Sequence, residues 1–266
     1  MNNKCLNCEK ELNDKYCSGC GQKADTHRIT FKKFIFHDLI HGTFHFEKGM
    51  FFTAKQALIH PGKAALEYIS GKRVRYYNVF YLILITIGLI IFFRHYYENF
   101  SISENDEALK SQVQLNEASK AMNEIFEQKS KLIISLFVPF AALNSFILFK
   151  KKKLNFSEHC IIAGMILLGM LLISAFGNLF FFLDLIIPFS DKFATAIGWI
   201  VTLLIIFQII YGYYNAFGLD YSKSGIASRI LLFFALFCSE LMILFLVVWG
   251  FISNWKFGYI NVSPFG

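Results

Sequence analysis

An all-α integral membrane protein is the fold class this sequence predicts, on three observations. Of its 266 residues 55% are hydrophobic, 32 are phenylalanine, and the mean hydropathy is +0.47. Only 17% are charged, against roughly 25% in a soluble domain, so membrane segments dominate the class. From residue 79 onward, apolar runs recur at 79–97, 132–149, 158–182, 193–217 and 229–252, close to the ~20 residues that cross a bilayer as a helix. About five spans in one helical transmembrane bundle follow from these runs.

Ahead of the bundle, residues 1–26 have a different chemistry. "CLNCEKELNDKYCSGCGQK" sets Cys5, Cys8, Cys17 and Cys20 at the spacing C-x2-C-x8-C-x2-C. Each CxxC lets two thiolates reach one ion from a tight turn, and two such turns complete a tetrahedron of sulfurs. The segment is too short for a core of its own, so metal binding and folding are expected as one event. Two disulfides or a rubredoxin-like iron are the alternatives. Residues 1–30 lack the apolar stretch of a signal peptide, which places the segment in the reducing cytoplasm and argues against disulfides. The expectation is a small zinc ribbon holding one ion per chain. Four protein ligands close the site, so its role is structural. Gly19 and Gly21 give the second knuckle its turn freedom, and the chain shows no internal repeat.

Residues 27–78 form a basic, aromatic stretch with helical periodicity. In "ITFKKFIFHDLIHGTFHFEKG" the apolar Ile29, Phe31, Phe34, Ile35, Leu39 and Ile40 recur near the 3.6 period. A second helical piece, "FFTAKQALIH", stops at Pro61-Gly62, and a third, "KAALEYIS", ends at Gly71, the expected C′ glycine. None is long enough to span, so they read as juxtamembrane amphipathic helices on the membrane surface. Residues 1–78 carry 13 Lys+Arg against 7 Asp+Glu, a net of +6 in a chain of net +7. Because this charge leads directly into a span, anionic lipid headgroups are favoured over nucleic acid as its partner, with Lys32, Lys33, Lys72, Arg73 and Arg75 as contacts.

The loops of 79–266 set the orientation. Lys72, Arg73 and Arg75 precede the first span, four lysines occupy 150–153, and Lys223 and Arg229 flank the link between the last two spans. Residues 98–131 instead carry seven acids against four bases, and 184–192 two acids against one lysine. Positive-inside bias puts the N-terminus in the cytoplasm and 98–131 outside, in the cell (inner) membrane. Within the outer loop, Ser103 and Asp106 resemble a capping box, and Leu109, Val113, Met122, Ile125 and Phe126 suggest a helix leading into the second span. The segment 178–189 either extends the third span or re-enters the membrane.

Two further groups carry possible chemistry. His37, His41 and His45, at i, i+4 and i+8, would line one helix face and, with Glu158 and His159, offer a second polar or metal site. Gly42 and the surrounding Phe and Lys favour a headgroup-zone stripe instead. Glu240 lies near the centre of the last span, where a carboxylate costs ~2.5 kcal/mol or more unless protonated, paired or wetted. Asn144, Asn178, Gln208 and Asn215 are its candidate hydrogen-bond partners. Glu158 also suits a helix start. No nucleotide loop, nucleophile elbow or HExxH motif is present.

The order "CLNC…YCSGCGQK…HRITF…HDLIH…H…KG…T…L…HPGKAALEYISGKRVRYYN", with "NFSEH" at 155–159 and "YGYYNAFGLDYSKS" at 211–224, resembles an uncharacterised bacterial family of multi-pass membrane proteins bearing an N-terminal zinc ribbon and defined by a domain of unknown function. Two positions depart from that pattern: Glu47 where Asp is expected, and Val79 where Pro is expected. The resemblance implies ribbon, surface helices and bundle, and no known activity. The leading expectation is thus a non-enzymatic scaffold whose ribbon and basic belt dock an unknown cytoplasmic protein partner. A proton-coupled or small-solute transporter using Glu240 is the alternative, and a lipid-acting metalloenzyme using His37, His41, His45 and His159 the third. A homo-oligomer is compatible with each.

The alternation of loop charge makes a direct prediction. In intact cells, a membrane-impermeant thiol reagent is expected to label Ser111→Cys in a protein lacking the six native cysteines. Labelling only after lysis would invert the orientation.

Overall fold

The computed structural model describes residues 4–24, 26, 49–101, 134, 136–185, 187, 189–252 and 255. Among them the chain is helical: α1 Gly49–Ile59, α2 Pro61–Ile69, α3 Val79–Ser101, α4 Leu136–Leu148, α5 Phe156–Phe181, α6 Asp191–Phe217 and α7 Lys223–Ile252. No strand occurs among the described residues. α3, α5, α6 and α7 are each long and apolar enough to cross a membrane. The fifth expected span, 132–149, is described as the shorter apolar helix Leu136–Leu148, and 131–133 and 135 lie outside the described residues. So does 102–131, on which the capped outer-loop helix was expected.

Local chemistry explains where the helices begin and end. At the start of α5 the Asn155 side chain accepts the Glu158 N–H at 2.9 Å while the Glu158 carboxylate accepts the Asn155 N–H at 2.8 Å, a complete capping box. Asn78 performs the same service for α3, its side-chain oxygen accepting the Phe80 N–H at 3.0 Å. α2 has Pro61 in its first turn and no capping side chain from His60. Its orphan Lys63 N–H goes instead to the Asn215 side chain of α6, at 2.7 Å. At the other end of α2, Gly71 N–H reaches the Tyr68 carbonyl and Lys72 N–H the Glu67 carbonyl, with Gly71 at φ +105°. That is a Schellman ending, with Gly71 at the expected C′ position.

Within 178–189 the described residues first continue the helix of the third apolar run and then turn. α5 runs to Phe181 and a 3₁₀ turn follows over Phe182–Leu185. Asp184 organises the bend by accepting the Phe189 N–H at 2.5 Å and the Tyr97 hydroxyl of α3 at 2.8 Å.

α5 is the axis of the bundle. Two-thirds of its spanning window (67%) is buried, against 11% for α6 and for α7, which turn large apolar side chains such as Trp199, Leu203, Leu231 and Phe251 outward. This is the arrangement of a membrane protein, in which peripheral helices meet lipid tails. α1 and α2 pack into the bundle by their small residues: Thr53, Ala57, Pro61, Gly62, Ala64 and Ala65 are buried against α5 and α6. A Cβ on Gly62 would collide with the Gly212 carbonyl and the Ala216 backbone nitrogen, so α2 meets α6 backbone to backbone. Gln208 of α6 then donates to the Ala57 carbonyl at 2.6 Å, inside the bundle.

The same end of the bundle gathers the lysine loop. Lys152 pairs with Asp220 at 3.1 Å, and Lys151 donates to the Asp220 carbonyl at 2.6 Å. The Tyr221 ring lies beneath both Lys151 and Arg229, 4.7 and 4.2 Å from its centroid.

Gly62→Ala is expected to lower the melting midpoint in detergent, since overpacking against rigid backbone costs about 1–3 kcal/mol. Gly88→Ala is the matched control: its Cβ would meet nothing within 4 Å, and no loss is expected. Equal midpoints for the two variants would contradict the α2–α6 contact.

Candidate metal centre

The four ribbon cysteines converge. Their sulfurs all lie within 4.8 Å of one another, with Cys5–Cys20 at 3.6 Å and Cys8–Cys17 at 3.5 Å. A disulfide would need about 2.05 Å. Four sulfurs held about 2.3 Å from one ion stand about 3.8 Å apart, so the set fits a tetrahedral thiolate site. Zinc and iron both take such a site, and the geometry alone does not choose between them.

Backbone geometry explains the convergence, and it shows a repeat that the sequence reading missed. In the first knuckle Cys5 N–H donates to the Lys10 carbonyl and Glu9 N–H to the Cys5 carbonyl. Twelve residues on, Cys17 N–H donates to the Gln22 carbonyl and Gly21 N–H to the Cys17 carbonyl. Isolated bridges close both turns, Lys4 with Glu11 and Tyr16 with Lys23. The residue after each second cysteine is left-handed, Glu9 at φ 63° and Gly21 at φ 74°. The shared pattern is one of hydrogen bonds, while only the cysteines match in sequence. Gly21 thus supplies turn freedom. Gly19 supplies space, since a Cβ there would stand 2.9 Å from Lys10 Cδ and 3.6 Å from Cys8 Sγ.

Electrostatics favour the thiolate at Cys17 and oppose it at Cys8. Backbone N–H groups of Gly19, first, and Cys20 hold the Cys17 thiol down to about 6. Cys8 moves up to about 12: the Lys10 N–H lowers it, but the Cys17 sulfur, desolvation and the Cys20 and Cys5 sulfurs together raise it more. Four neighbouring thiols cannot all ionise together without a cation to share, which is the role a metal fills.

Among the described residues, the ribbon meets the helices at the Gly71 turn. The Gln22 side chain donates to the Gly71 carbonyl at 2.8 Å and accepts the Arg73 N–H at 3.4 Å. Leu6, inside the first CxxC, lies against Gly71. Sequence reasoning passed over both residues, although "CGQK" stood among the motif landmarks. Around this turn, Arg75 pairs with Glu67 at 2.7 Å, the Tyr76 hydroxyl donates to the same carboxylate at 2.7 Å, and the Arg73 guanidinium lies 5.6 Å over Tyr68. Burial, first, and then that carboxylate push the Tyr76 hydroxyl well above its ordinary range. Lys72 is half-buried on the same turn.

The other candidates are dispersed. Lys32, Lys33, His37, His41 and His45 lie outside the described residues. Glu158 is buried and engaged in the α5 cap. His159 is fully buried, its Nδ1 2.8 Å from Ser145 Oγ, between the rings of Phe217 and Phe146. Of the four partners suggested for Glu240, Asn144 is the one that meets it, donating to its carboxylate at 2.9 Å from a buried position on α4. Asn178 donates to its own Ser174 carbonyl, while Gln208 and Asn215 serve α1 and α2.

Residues 47–92 match the family model described as "Protein of unknown function (DUF3667)". The matched segment comprises α1, α2, the Gly71 turn and the first part of α3, under a fifth of the chain, and supports kinship with an uncharacterised family. No curated protein and no solved structure matches.

Cys17→Ser/Cys20→Ser is expected to abolish bound metal, read by elemental analysis of the purified protein. Ligands must be deprotonated, so protons compete with the metal for all four thiolates, and metal content should fall as the solution is acidified from neutral pH. Metal content independent of both changes would remove this centre.

Proposed function

We propose that this is a non-enzymatic protein of the cell (inner) membrane, N-terminus inside, whose zinc-folded ribbon organises the cytoplasmic face and presents it to a protein partner. The observation that carries this reading is a closed four-thiol set fastened to the turn that leads into the first span. With all four positions supplied by cysteine, such an ion has no open site for substrate. Zinc is favoured by the CxxC spacing and a reducing compartment. Anionic lipid headgroups are the natural neighbours of Lys72, Arg73, Arg75 and the lysine loop at 150–153. Elemental analysis and affinity co-isolation from membranes test the two halves of the reading: zinc at one per chain, and a cytoplasmic protein retained only by the intact ribbon.

Glu240 divides this reading from the transporter. Its bond to Asn144 joins α7, the little-buried peripheral helix, to α4, and so supports a structural role. Glu240→Gln keeps a hydrogen-bonding amide and is expected to be tolerated. Glu240→Leu should lose about 0.6 kcal/mol of stability in detergent through the missing interhelical bond. A Gln variant that folds normally yet loses the phenotype of the gene would favour the transporter instead.

A further inference from the structure

We propose that the ribbon is a metal-dependent clamp whose partner is the chain's own turn at Gly71–Arg73. The proposal deepens the reading above and rests on the ribbon being folded by its metal.

Two contacts make the clamp, one from each knuckle, and the metal centre positions both. Leu6 sits between Cys5 and Cys8, and its Cδ1 would stand 2.7 Å from a Cβ on Gly71. Only glycine admits it so closely. Gln22 lies two residues past Cys20, and its own carbonyl accepts the Cys17 N–H at 2.8 Å, so its backbone belongs to the second knuckle. Its buried amide donates to the Gly71 carbonyl at 2.8 Å and, at 3.4 Å, shares the Arg73 N–H that already donates to that carbonyl at 3.0 Å. Such a contact needs the two knuckles held at a fixed separation. The metal supplies that separation, because all four sulfurs would share one ion, and the pairs Cys5–Cys20 at 3.6 Å and Cys8–Cys17 at 3.5 Å each join one knuckle to the other.

The receiving turn is rigid by its own means. Gly71 ends α2 in a Schellman motif, and α2 is fixed backbone to backbone on α6. Without metal, the described ribbon has Leu6 and Leu12 as its aliphatic side chains of any size beyond Ala24, too few to hold the knuckles together. Leu6 and Gln22 then lose their fixed spacing, the ordering entropy of the segment returns, and the clamp opens. The ligand this device answers to is a soft, thiolate-binding divalent cation. Its output is the exposure of Lys72 and Arg73, half-buried on the docked turn.

The test uses the full-length protein in detergent with zinc as the probe, and trypsin, which cuts after Lys72 and Arg73. Chelation is expected to raise cleavage after these two residues about tenfold or more, the equivalent of losing one or two hydrogen bonds. Re-added zinc should restore protection, and cleavage after Lys192 should not change. Gln22→Ala should keep its metal by elemental analysis yet be cut at the chelated rate. Leu6→Ala, from the other knuckle, gives the same readout should Gln22→Ala lose its metal. Metal present with cleavage indifferent to chelation, or both variants protected like the native chain, overturns the clamp while leaving the metal centre. Finding no bound metal overturns the centre and the clamp together.

Discussion

The approach of Pro61–Gly62 to Gly212–Ala216 is the contact on which the membrane-proximal half of the molecule depends. Lipid tails are as apolar as leucine, so helices inside a bilayer gain little from hiding apolar surface against each other. They associate where small residues let backbones meet and where polar groups find partners. α2 uses both routes on α6: glycine at the closest approach, then Asn215 satisfying the Lys63 N–H that no cap of its own serves. Gln208 fixes α1 to the same helix through the Ala57 carbonyl. Once α2 is fixed, its Schellman end fixes Gly71, and Gly71 fixes where the ribbon sits.

The opposite flank is held differently. α7 is mostly lipid-facing and is joined by separate polar bonds, Glu240 to Asn144 and Arg229 to the Leu148 carbonyl at 3.2 Å, with the Tyr213–Phe233 ring contact between. Both polar bonds end on α4, which is short over its described residues and buries Asn144 and Ser145 side by side. Ser145 turns to His159 of α5 while Asn144 turns to α7, so adjacent residues on one helix tie it to two others. Asn144 and Ser145 sit on different faces of α4 and neither bonds to the other among the contacts described. A hydroxyl–imidazole pair and an amide–carboxylate pair placed this way act as two separate ties between helices.

Much of this was legible in the sequence because the signals were local. Apolar run length located α3, α5, α6 and α7, Glu158 read as helix-start chemistry without its partner Asn155, and CxxC spacing gathered the cysteines. The start of α7 was set at 229, six residues past its true first turn at Lys223, because Lys223 and Arg229 looked like loop charges. Arg229 instead lies over Tyr221 inside the fold. The tertiary use of small and polar residues was not legible. Nothing local distinguishes Gln22, which joins ribbon to turn, from any polar residue after a knuckle. Gln208 and Asn215 were available to Glu240 by composition, yet nearer carbonyl and amide groups on α1 and α2 claimed them. α1 and α2 were too short and mixed to span, which suggested the membrane surface, and their buried faces carry alanine and glycine, residues that periodicity of large apolar side chains overlooks.

Linkage gives the ribbon a consequence in the other direction. If metal holds the two knuckles at the spacing that Gly71 accepts, then the docked turn must favour the metal-bound ribbon by the same factor, since coupling between two binding events is reciprocal. A ribbon resting on the bundle should hold its ion more tightly than the same ribbon released, by about tenfold for each 1.4 kcal/mol of docking energy. On the proposed clamp, docking energy would come from one buried amide and one leucine, and both depend on α2 remaining on α6. Anything that shifts α2, such as a change in the lipid around α6, would then be felt at the sulfurs without touching them, and the metal centre and the bundle would be parts of one equilibrium.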